Sequence, residues 1–437
     1  MSALAAAGVL LLVLMPLIVV HELGHYVAAR FVGVHVERFC IGLGPPFFYG
    51  RFRPGGTTWA LAPIPLGGYV LLRDSRNARG GAPCESTEDL ACKSPWERML
   101  VSAAGPLANL LLAVVLLGGW LMIGCTEPAP RLRAPAVGSA AERAGLRAGD
   151  WVESVGANPV RTWDEFRRDV ASALANGGEA RLSIRREDAH GSANVTLRGA
   201  SGADLDKLGL QLWRARAQIE SVDSKGAAAR AGMAPGDVIL AVDDIDTPDG
   251  QAVMARLRAV ASPSIRLTLE RAGRRIDVIV DVERDAAGKV HLGMQANNAA
   301  QMVSVRYGPG TAIWRAVGRA WDILAEIAKA IFGLVAGTVP VSVLAGPGGL
   351  AREAGHVATL GADELLYFTV GLSLNLGVVN LLPIAMLDGG AIVGALFEVV
   401  SGRPASGRVA GAARIAGIVA LAALFGLATM NDFAHVG

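Results

Sequence analysis

The sequence predicts a polytopic α-helical membrane protein with four transmembrane helices and, between the second and the third, a polar insertion of two tandem α+β modules. The 437 residues are 52% hydrophobic and only 18% charged, and the mean hydropathy is +0.40. Such a chain is too apolar for an ordinary soluble protein of this length. Its net charge of +2 gives no indication of nucleic-acid binding. The apolar segments that can cross about 30 Å of hydrocarbon are residues 1–32, 99–124, 366–390 and 409–429.

The first span contains the most informative motif, His21-Glu22-Leu23-Gly24-His25. Residues i and i+4 lie on one face of a helix, so the two histidines can direct imidazole nitrogens to one metal ion. Glu22 then lies beside them, where a carboxylate can take a proton from a metal-bound water. Histidines satisfied by neighbouring groups are the alternative. Because ionisable groups are costly at membrane depth and by default mark function, the motif predicts a hydrolytic zinc site.

The third apolar segment ends at Asp388, which is the candidate for a third metal ligand. At 1.5 Å per helical residue, His21 lies about 25–30 Å along the first span, and Asp388 lies about 30 Å along a continuous third span. Both side chains would therefore reach the same depth in the bilayer. Two histidines and one carboxylate leave an open position for water, as in catalytic zinc sites. An aspartate that faces solvent at a helix end is the alternative for Asp388 taken alone.

Charge distribution predicts the orientation of the spans. The loop at 33–98 is rich in Lys and Arg, whereas residues 1–20 and 430–437 contain neither. Because positively charged loops stay in the cytoplasm, we expect both termini and the long insertion on the periplasmic side. The metal site then lies toward the cytoplasmic side. Residues 311–337 mix Trp, Arg and acidic residues with apolar ones at helical spacing, which predicts an amphipathic helix at the membrane interface.

The polar insertion repeats two short motifs. They are AGLRAGD at 144–150, which recurs as AGMAPGD at 231–237, and LGLQ at 208–211, which recurs as LGMQ at 292–295. Two modules, at 127–214 and 215–300, account for this pattern. Their motifs resemble those of circularly permuted PDZ domains, which bind peptides by adding a strand to a sheet edge beside a helix. Two uses stay open: capture of a peptide or protein ligand, and steric occlusion of the membrane site.

Several motifs occur in the order that is typical of one family. Besides HELGH they are ERFCIGLGP at 37–45, PLGGYV at 65–70, GPLAN at 105–109, LAGPG at 344–348 and NLGVVNLLPIAMLDGG at 375–390. Over nearly its whole length the chain resembles the site-2 family of intramembrane zinc metalloproteases. Within that family it is most similar to the Gram-negative proteases that regulate sigma factor E and carry two PDZ domains.

The resemblance implies a catalytic Zn²⁺ held by His21, His25 and Asp388, with Glu22 as the general base. One departure is visible after the Asp-Gly-Gly motif, where the family often has a histidine and this chain has Ala391. Since all three implied ligands and the base are present, we expect an active enzyme. The groups that support the ligands can differ from those of the family.

The resemblance also implies which residues contact the substrate. Asn380 is expected to have a catalytic role by hydrogen bonding the substrate backbone near the scissile carbonyl, with Asn375 as a further contact. Hydrogen bonding between helices is the alternative for both amides. The loop between the first two spans is expected to form a membrane-associated β-structure. Its Gly67, Gly68 and Leu71 belong to the strand expected to bind an unwound substrate segment.

The predicted function is intramembrane proteolysis in the bacterial inner membrane. The implied substrate is a single-span membrane protein of the anti-sigma-factor type, cut within the bilayer after another protease has removed its outer domain. A non-catalytic membrane scaffold or chaperone that kept the protease fold is the main alternative, and a metal transporter is a weaker one. Retention of Glu22 favours the enzyme, because a structural zinc site does not need a base.

Overall fold

The computed structural model describes residues 2–50, 56–73, 86–186, 192–199, 205–224, 226–260, 262–284, 290–297 and 299–434. The other residues, several of which belong to the predicted loop at 33–98 and to both predicted modules, lie outside this description. The chain divides into two compact units. The first, here called the helical unit, comprises Met1–Cys125 and Arg306–Gly437, and the second, the insertion unit, comprises Thr126–Val305.

The helices and strands are numbered along the chain. The helices are α1 Ala3–Phe31, α2 Pro95–Ile123, α3 Ala140–Arg143, α4 Trp163–Gly177, α5 Ala227–Arg230, α6 Gly250–Ala259, α7 Pro309–Val335, α8 Pro347–Leu360, α9 Ala362–Asn380, α10 Asp388–Ser401 and α11 Gly407–Ala434. The strands of the helical unit are β1 Val36–Leu43, β2 Phe48–Tyr49, β3 Thr58–Leu61 and β4 Ile64–Leu72, and β5 Cys125–Pro128 follows at the boundary. Among the described residues, four helices are long and apolar enough to cross a membrane: α1, α2, α9 and the Gly407–Asp432 part of α11.

The first two long helices begin at the capping signals present in the sequence. The Ser2 hydroxyl accepts a hydrogen bond from the Ala5 N–H at 3.3 Å and caps α1. Ser94 and Glu97 form a reciprocal capping box at the start of α2, where Pro95 occupies the first turn. These caps place the start of α2 at residue 95, before the apolar segment predicted from residue 99.

The third predicted span, at 366–390, is not a single helix. Helix α9 ends at Asn380, residues 381–387 form a turn, and Asp388 begins α10. Pro383 has no N–H to donate and a fixed φ, so the helical hydrogen-bond ladder does not continue through this segment. The prediction that one continuous helix leads to Asp388 is therefore wrong. The turn, and not the helix length, determines where this carboxylate lies.

A small sheet in the helical unit packs against α1. Its strand order is β2-β3-β1-β4, so β4 lies at one end of the sheet as the structure describes it. β1 runs parallel to β3 and antiparallel to β4, with Ile41 opposite Gly68. Gly42 has φ +95, and a Cβ there would lie 2.5 Å from the Ala62 carbonyl oxygen. Only glycine fits this position, where β1 approaches the chain between β3 and β4.

Helix α7 has the amphipathic pattern expected from the sequence. It spans Pro309–Val335, against the predicted 311–337. Ala312 and Ala316 are fully buried, whereas Trp314 and Trp321 on the other face are at least 70% exposed. Small residues on one face let α7 pack closely on α2. The two indole rings on the opposite face are exposed to the medium around the protein. A position at the membrane interface remains a prediction.

The insertion unit contains two larger sheets of similar construction, besides two-stranded pairs. Its strands are β6 Trp151–Val155, β7 Asn158–Pro159, β8 Glu179–Arg185, β9 Ser192–Arg198, β10 Gln218–Val222, β11 Val238–Val242, β12 Ile245–Asp246, β13 Ser264–Arg271, β14 Arg274–Asp281, β15 Glu283–Arg284, β16 Val290–His291, β17 Met294–Asn297 and β18 Met302–Val305. The two-stranded pairs are β15-β16 and β18-β5. The first larger sheet has the order β7-β6-β8-β9, and the second has the order β14-β13-β11-β10-β17, with β12 paired to β11. Each has its own core of buried residues, which include Val152, Phe166 and Leu182 in the first and Ile239, Leu267 and Leu269 in the second.

An ion pair occurs at the same place in both halves of the insertion unit. Arg186 Nε lies 2.8 Å from an oxygen of the buried Asp150, and Arg271 Nε lies 2.7 Å from an oxygen of the buried Asp237. Each aspartate is the last residue of a repeated AG-x-x-x-GD motif. The aspartate also accepts a backbone N–H from within that motif, at 2.8 Å in both halves. The repeated motif therefore positions an acidic residue that ties a turn to a β-strand.

Asp237→Asn should destabilise the second sheet at neutral pH. The hydrogen bond from Arg271, with a backbone N–H, holds the pKa of the Asp237 carboxyl below its ordinary value of 3.8. A carboxyl whose pKa is lowered by folding adds stability above its unfolded-state pKa and loses it as the pH falls through the folded-state value. The difference between wild type and variant should therefore shrink below pH 3.8. Hydrogen exchange of the β11 and β13 amides in the full chain would measure it.

Asp244→Asn is the matched control for this measurement. Asp244 pairs with Arg266 at 3.2 Å, but both side chains are more than half exposed. Exposed ion pairs contribute little to stability, about 0–1 kcal/mol. Equal protection in the two variants at neutral pH would contradict the role assigned to Asp237.

Candidate metal and catalytic site

Three side chains that can ligate a metal converge at one point of the helical unit. His21 and His25 lie one turn apart on α1, and Asp388 is the first residue of α10. His21 Nε2 is 3.2 Å from Asp388 Oδ2, His25 Nε2 is 3.4 Å from Asp388 Oδ1, and the two Nε2 atoms are 3.2 Å apart. Neighbouring corners of a tetrahedron around zinc, with bonds of about 2.0–2.1 Å, are about 3.3–3.4 Å apart. The two histidine nitrogens have about this spacing, and each lies at a similar distance from one oxygen of Asp388, so the three residues could hold a zinc ion.

Hydrogen bonding leaves the correct nitrogen of His25 free for a metal. Its Nδ1 lies 2.8 Å from the carbonyl oxygen of Val101 on α2. A carbonyl can only accept, so Nδ1 carries the proton and Nε2 presents its lone pair toward His21 and Asp388. A backbone carbonyl is a common outer partner of a metal-bound histidine, because it fixes both the tautomer and the orientation of the ring.

Two glycines let α1 and α2 approach closely enough for this contact. A Cβ on Gly105 would collide with the His25 imidazole, and a Cβ on Gly24 would collide with the Ala104 carbonyl. Both positions have helical backbone, which any residue can adopt. Glycine is required here because a larger side chain would not fit between the two helices. The glycines explain why the motifs HELGH and GPLAN occur together in one chain: each of these helices needs a small residue where the other crosses it.

Glu22 lies beside this cluster and contacts the edge strand β4. The backbone N–H of Val70 on β4 lies close to its carboxylate. A Cβ on Gly68 would lie 3.1 Å from Glu22 Cγ, so the strand passes directly over this side chain. The site thus combines a metal-ligand set with an adjacent carboxylate and a strand edge. These are the parts that a metal-dependent hydrolase of an extended peptide needs.

Comparison with known proteins identifies the family. The model for peptidase family M50 matches residues 9–424 of the chain. The chain belongs to peptidase family M50, the site-2 proteases. The resemblance predicted from the order of the sequence motifs is thereby confirmed, and so is its class as a zinc metalloprotease of the site-2 type.

Relatives of this M50 protease align along nearly their whole length. A protein of Neisseria meningitidis serogroup A named as a zinc metalloprotease is 33% identical over 413 residues, which cover 90% of this chain and 91% of the relative. The regulator of sigma-E protease RseP of Escherichia coli is 29% identical over 438 residues, or 96% of each chain. Protease RseP of Yersinia pestis is 29% identical over the full length of both chains.

Solved structures of PDZ domains match a short part of the protease. The PDZ domain of an SdrC-like protein from Listeria monocytogenes covers 20% of this chain and 93% of its own, with 13% identity and a TM-score of 0.18. The corresponding domain from Listeria innocua covers 19% of this chain and 96% of its own, with 14% identity and a TM-score of 0.18.

The structure places the predicted substrate-binding residues of the M50 protease in different surroundings. Asn380 is half-buried at the C-terminal end of α9, immediately before the turn that leads to Asp388, whereas Asn375 is exposed on the same helix. A Cβ on Gly67 would collide with the side chain of Leu43 and not with Glu22. Leu71 is opposite Arg38 in the ladder, and its side chain is 41% exposed. Of the β4 residues predicted to bind substrate, Gly68 is the one that lies beside Glu22.

One polar side chain at the site was not assigned a role from the sequence. Asn109 on α2 is fully buried, and its Nδ2 lies 3.3 Å from His21 Nδ1. The buried Ser373 on α9 donates its hydroxyl to the backbone carbonyl of Asn109 at 2.8 Å. The available signal was an amide inside an apolar span, which in itself marks a polar contact between helices. Which group it contacts depends on how α1 and α2 pack.

Proposed function

We propose that this M50 protease is an intramembrane zinc endopeptidase that cuts the transmembrane segment of a single-span protein. The observation that carries the proposal is the convergence of His21, His25 and Asp388, whose ligand atoms lie within 4.8 Å of one another. Glu22 lies next to them, beside the strand β4. The two histidines and Asp388 would hold the zinc ion. When bound, zinc would lower the pKa of a water and polarise the scissile carbonyl.

In this proposal Glu22 moves the proton and Asn380 stabilises charge. The Glu22 carboxylate accepts a proton from the attacking water and delivers it to the leaving amide nitrogen. The nearby Val70 N–H would help to hold the carboxylate between the cluster and β4. Asn380, just before the turn that positions Asp388, would donate its amide to the developing oxyanion. In a site poor in water such a donor has a large effect on rate.

The edge of β4 is proposed to hold the substrate in an extended form. A transmembrane helix hides its amides in intrahelical hydrogen bonds, so it must unwind locally before a peptide bond can be attacked. In an antiparallel pair, alternate residues direct their backbone groups away from the partner strand. Because the Val70 N–H lies close to Glu22, the side of β4 that faces away from β1 is proposed to lie at this carboxylate. A segment that pairs with this edge would be next to the metal ligands.

Leu71→Pro should lower cleavage by at least about 10-fold while leaving zinc content unchanged, because proline removes a strand N–H and distorts the β1–β4 ladder. Distortion of the edge would in turn weaken the backbone hydrogen bonds to the substrate, each contributing about 0.5–1.5 kcal/mol. Leu71→Ala keeps the N–H and is the matched control. The measurement is cleavage of a single-span substrate with zinc determined on the same samples. Unchanged turnover in the proline variant would exclude pairing along β4.

The two halves of the insertion unit are proposed to be tandem PDZ-like modules that act on substrate access. Their duplicated sheets and ion pairs support the division at 127–214 and 215–300. In the proposed orientation these modules and both termini are periplasmic in the inner membrane, and the metal site lies toward the cytoplasmic side. A substrate of the anti-sigma-factor type would reach the site only after its outer domain had been removed. Peptide capture and steric exclusion by the modules are both compatible with this arrangement.

The experiment that tests this function is cleavage of a single-span model substrate by the purified full chain in detergent. We expect a substrate without its outer domain to be cut and one that keeps a bulky outer domain to stay intact. A chelator should abolish cleavage, and added zinc should restore it. A scaffold or chaperone that retained the protease fold would bind zinc and cut none of several substrates.

A further inference from the structure

We propose that Asn109 is a positioning residue that selects the metal-binding tautomer of His21 by accepting a hydrogen bond from its Nδ1–H. The proposal rests on the metal site described under the proposed function and adds a residue to it. It depends on three observations. They are the burial of Asn109, the atoms that face each ring nitrogen of His21, and the lack of a hydrogen-bond partner for the side-chain oxygen Oδ1 of Asn109 among the described residues.

His21 has its two ring nitrogens in different surroundings. Nε2 faces His25 and Asp388 at 3.2 Å each, whereas Nδ1 faces the side-chain amide of Asn109 at 3.3 Å. A histidine that binds a metal through Nε2 carries its proton on Nδ1. His21 is 8% exposed, and Asn109 is fully buried. A proton on Nδ1 therefore needs an acceptor from the protein, because an unpaired donor is costly at a buried site.

The Asn109 amide can supply that acceptor. As described, its Nδ2 faces His21 and donates to Nδ1, which places the His21 proton on Nε2, toward the other two ligands. The Oδ1 atom has no hydrogen-bond partner among the described residues. Exchanging the positions of the two amide atoms keeps the same shape and breaks no bond made by Oδ1. In that orientation Oδ1 accepts from Nδ1–H, and Nε2 presents its lone pair beside that of His25.

The two histidines then have equivalent outer partners on one helix. Val101 of α2 accepts from His25 through its backbone carbonyl at 2.8 Å, and Asn109, two turns later on α2, accepts from His21 through its side chain. Ser373 on α9 donates its hydroxyl to the backbone carbonyl of Asn109 at 2.8 Å. Helix α2 thus orients both histidine rings of α1. A neutral amide suits this position because it can donate to His21 without metal and accept from it with metal.

The test measures zinc affinity of the full-length protein by competition with a chelator. Asn109→Leu removes the acceptor and should weaken zinc binding by about 10–100-fold, the usual effect of losing such an outer partner. Asn109→Asp supplies a stronger acceptor and should bind zinc at least as tightly as wild type. Ser373→Ala removes a hydrogen bond to the Asn109 backbone carbonyl and leaves the side-chain amide of Asn109 intact, so the zinc affinity should stay within about threefold of wild type.

The expected outcomes separate orientation of His21 from simple packing. Equal affinity in Asn109→Leu and wild type would overturn the proposal, as would equal weakening in the leucine and aspartate variants. Thermal unfolding of the metal-free proteins checks that each variant folds, and Asn109→Ala provides the same comparison where leucine is not accommodated. His21→Ala tests the underlying metal site separately. If wild type binds no zinc, or if His21→Ala binds zinc as tightly as wild type, the proposed metal site is contradicted. The role of Asn109 is then contradicted as well.

Discussion

Glu22→Gln should lower cleavage by about 10²–10⁴-fold, the usual contribution of a general base, while bound zinc stays at the wild-type level. Glutamine keeps the size of the side chain but cannot accept the proton of the attacking water. It is not one of the three proposed ligands, which are His21, His25 and Asp388. The measurement is cleavage of a single-span substrate by purified protein in detergent, with zinc determined on the same samples.

The matched control is Glu326→Gln, which makes the same chemical change on the exposed face of α7. Glu326 is largely exposed and pairs with Lys329 at 2.7 Å, and pairs of this kind contribute little. We expect wild-type cleavage from this variant. Cleavage by Glu22→Gln at the wild-type rate would place the base elsewhere. Zinc loss in Glu22→Gln would show that the carboxylate supports the metal and would leave its role as base without support from this test.

Gly105→Ala should remove zinc and activity together, with a loss of metal affinity of about 10-fold or more. A methyl group at residue 105 would occupy the space of the His25 imidazole. The ring would have to move away, and its Nδ1 would lose the 2.8 Å contact with the Val101 carbonyl. His25 would then present its Nε2 in a different direction from the one shared with His21. Zinc content and cleavage of the purified variant check this expectation.

Gly119→Ala provides the control within the same helix. A Cβ there meets no atom within 4 Å, and alanine is a better helix former than glycine. We expect normal zinc content, normal activity and unchanged or slightly higher stability. If Gly105→Ala retained zinc at the wild-type level, the close approach of α1 and α2 would not be what orients His25.

The local sequence was sufficient to predict that the two histidines and Glu22 lie close together on one helix. Their spacing is set by the helix that contains them, because residues four apart share one face whatever surrounds the helix. The apolar segments and the duplicated AG-x-x-x-GD motif could likewise be recognised from the sequence. Hydrophobic runs and internal repeats depend only on short stretches of chain. The same reasoning gave the wrong path to Asp388, because it treated the third span as continuous through Pro383.

What the sequence alone determined was the class of chemistry: an HExxH helix in an apolar span, an acidic candidate for the third metal ligand, the family, and a zinc metalloprotease. What only the tertiary structure decided was how these parts meet. The break after Asn380 delivers Asp388 at the start of α10, Gly105 makes room for the His25 ring, and Asn109 faces His21. Each of these depends on the approach of two elements that are far apart in the chain. Helical periodicity specifies which residues share a face, whereas the packing of whole helices decides what that face meets.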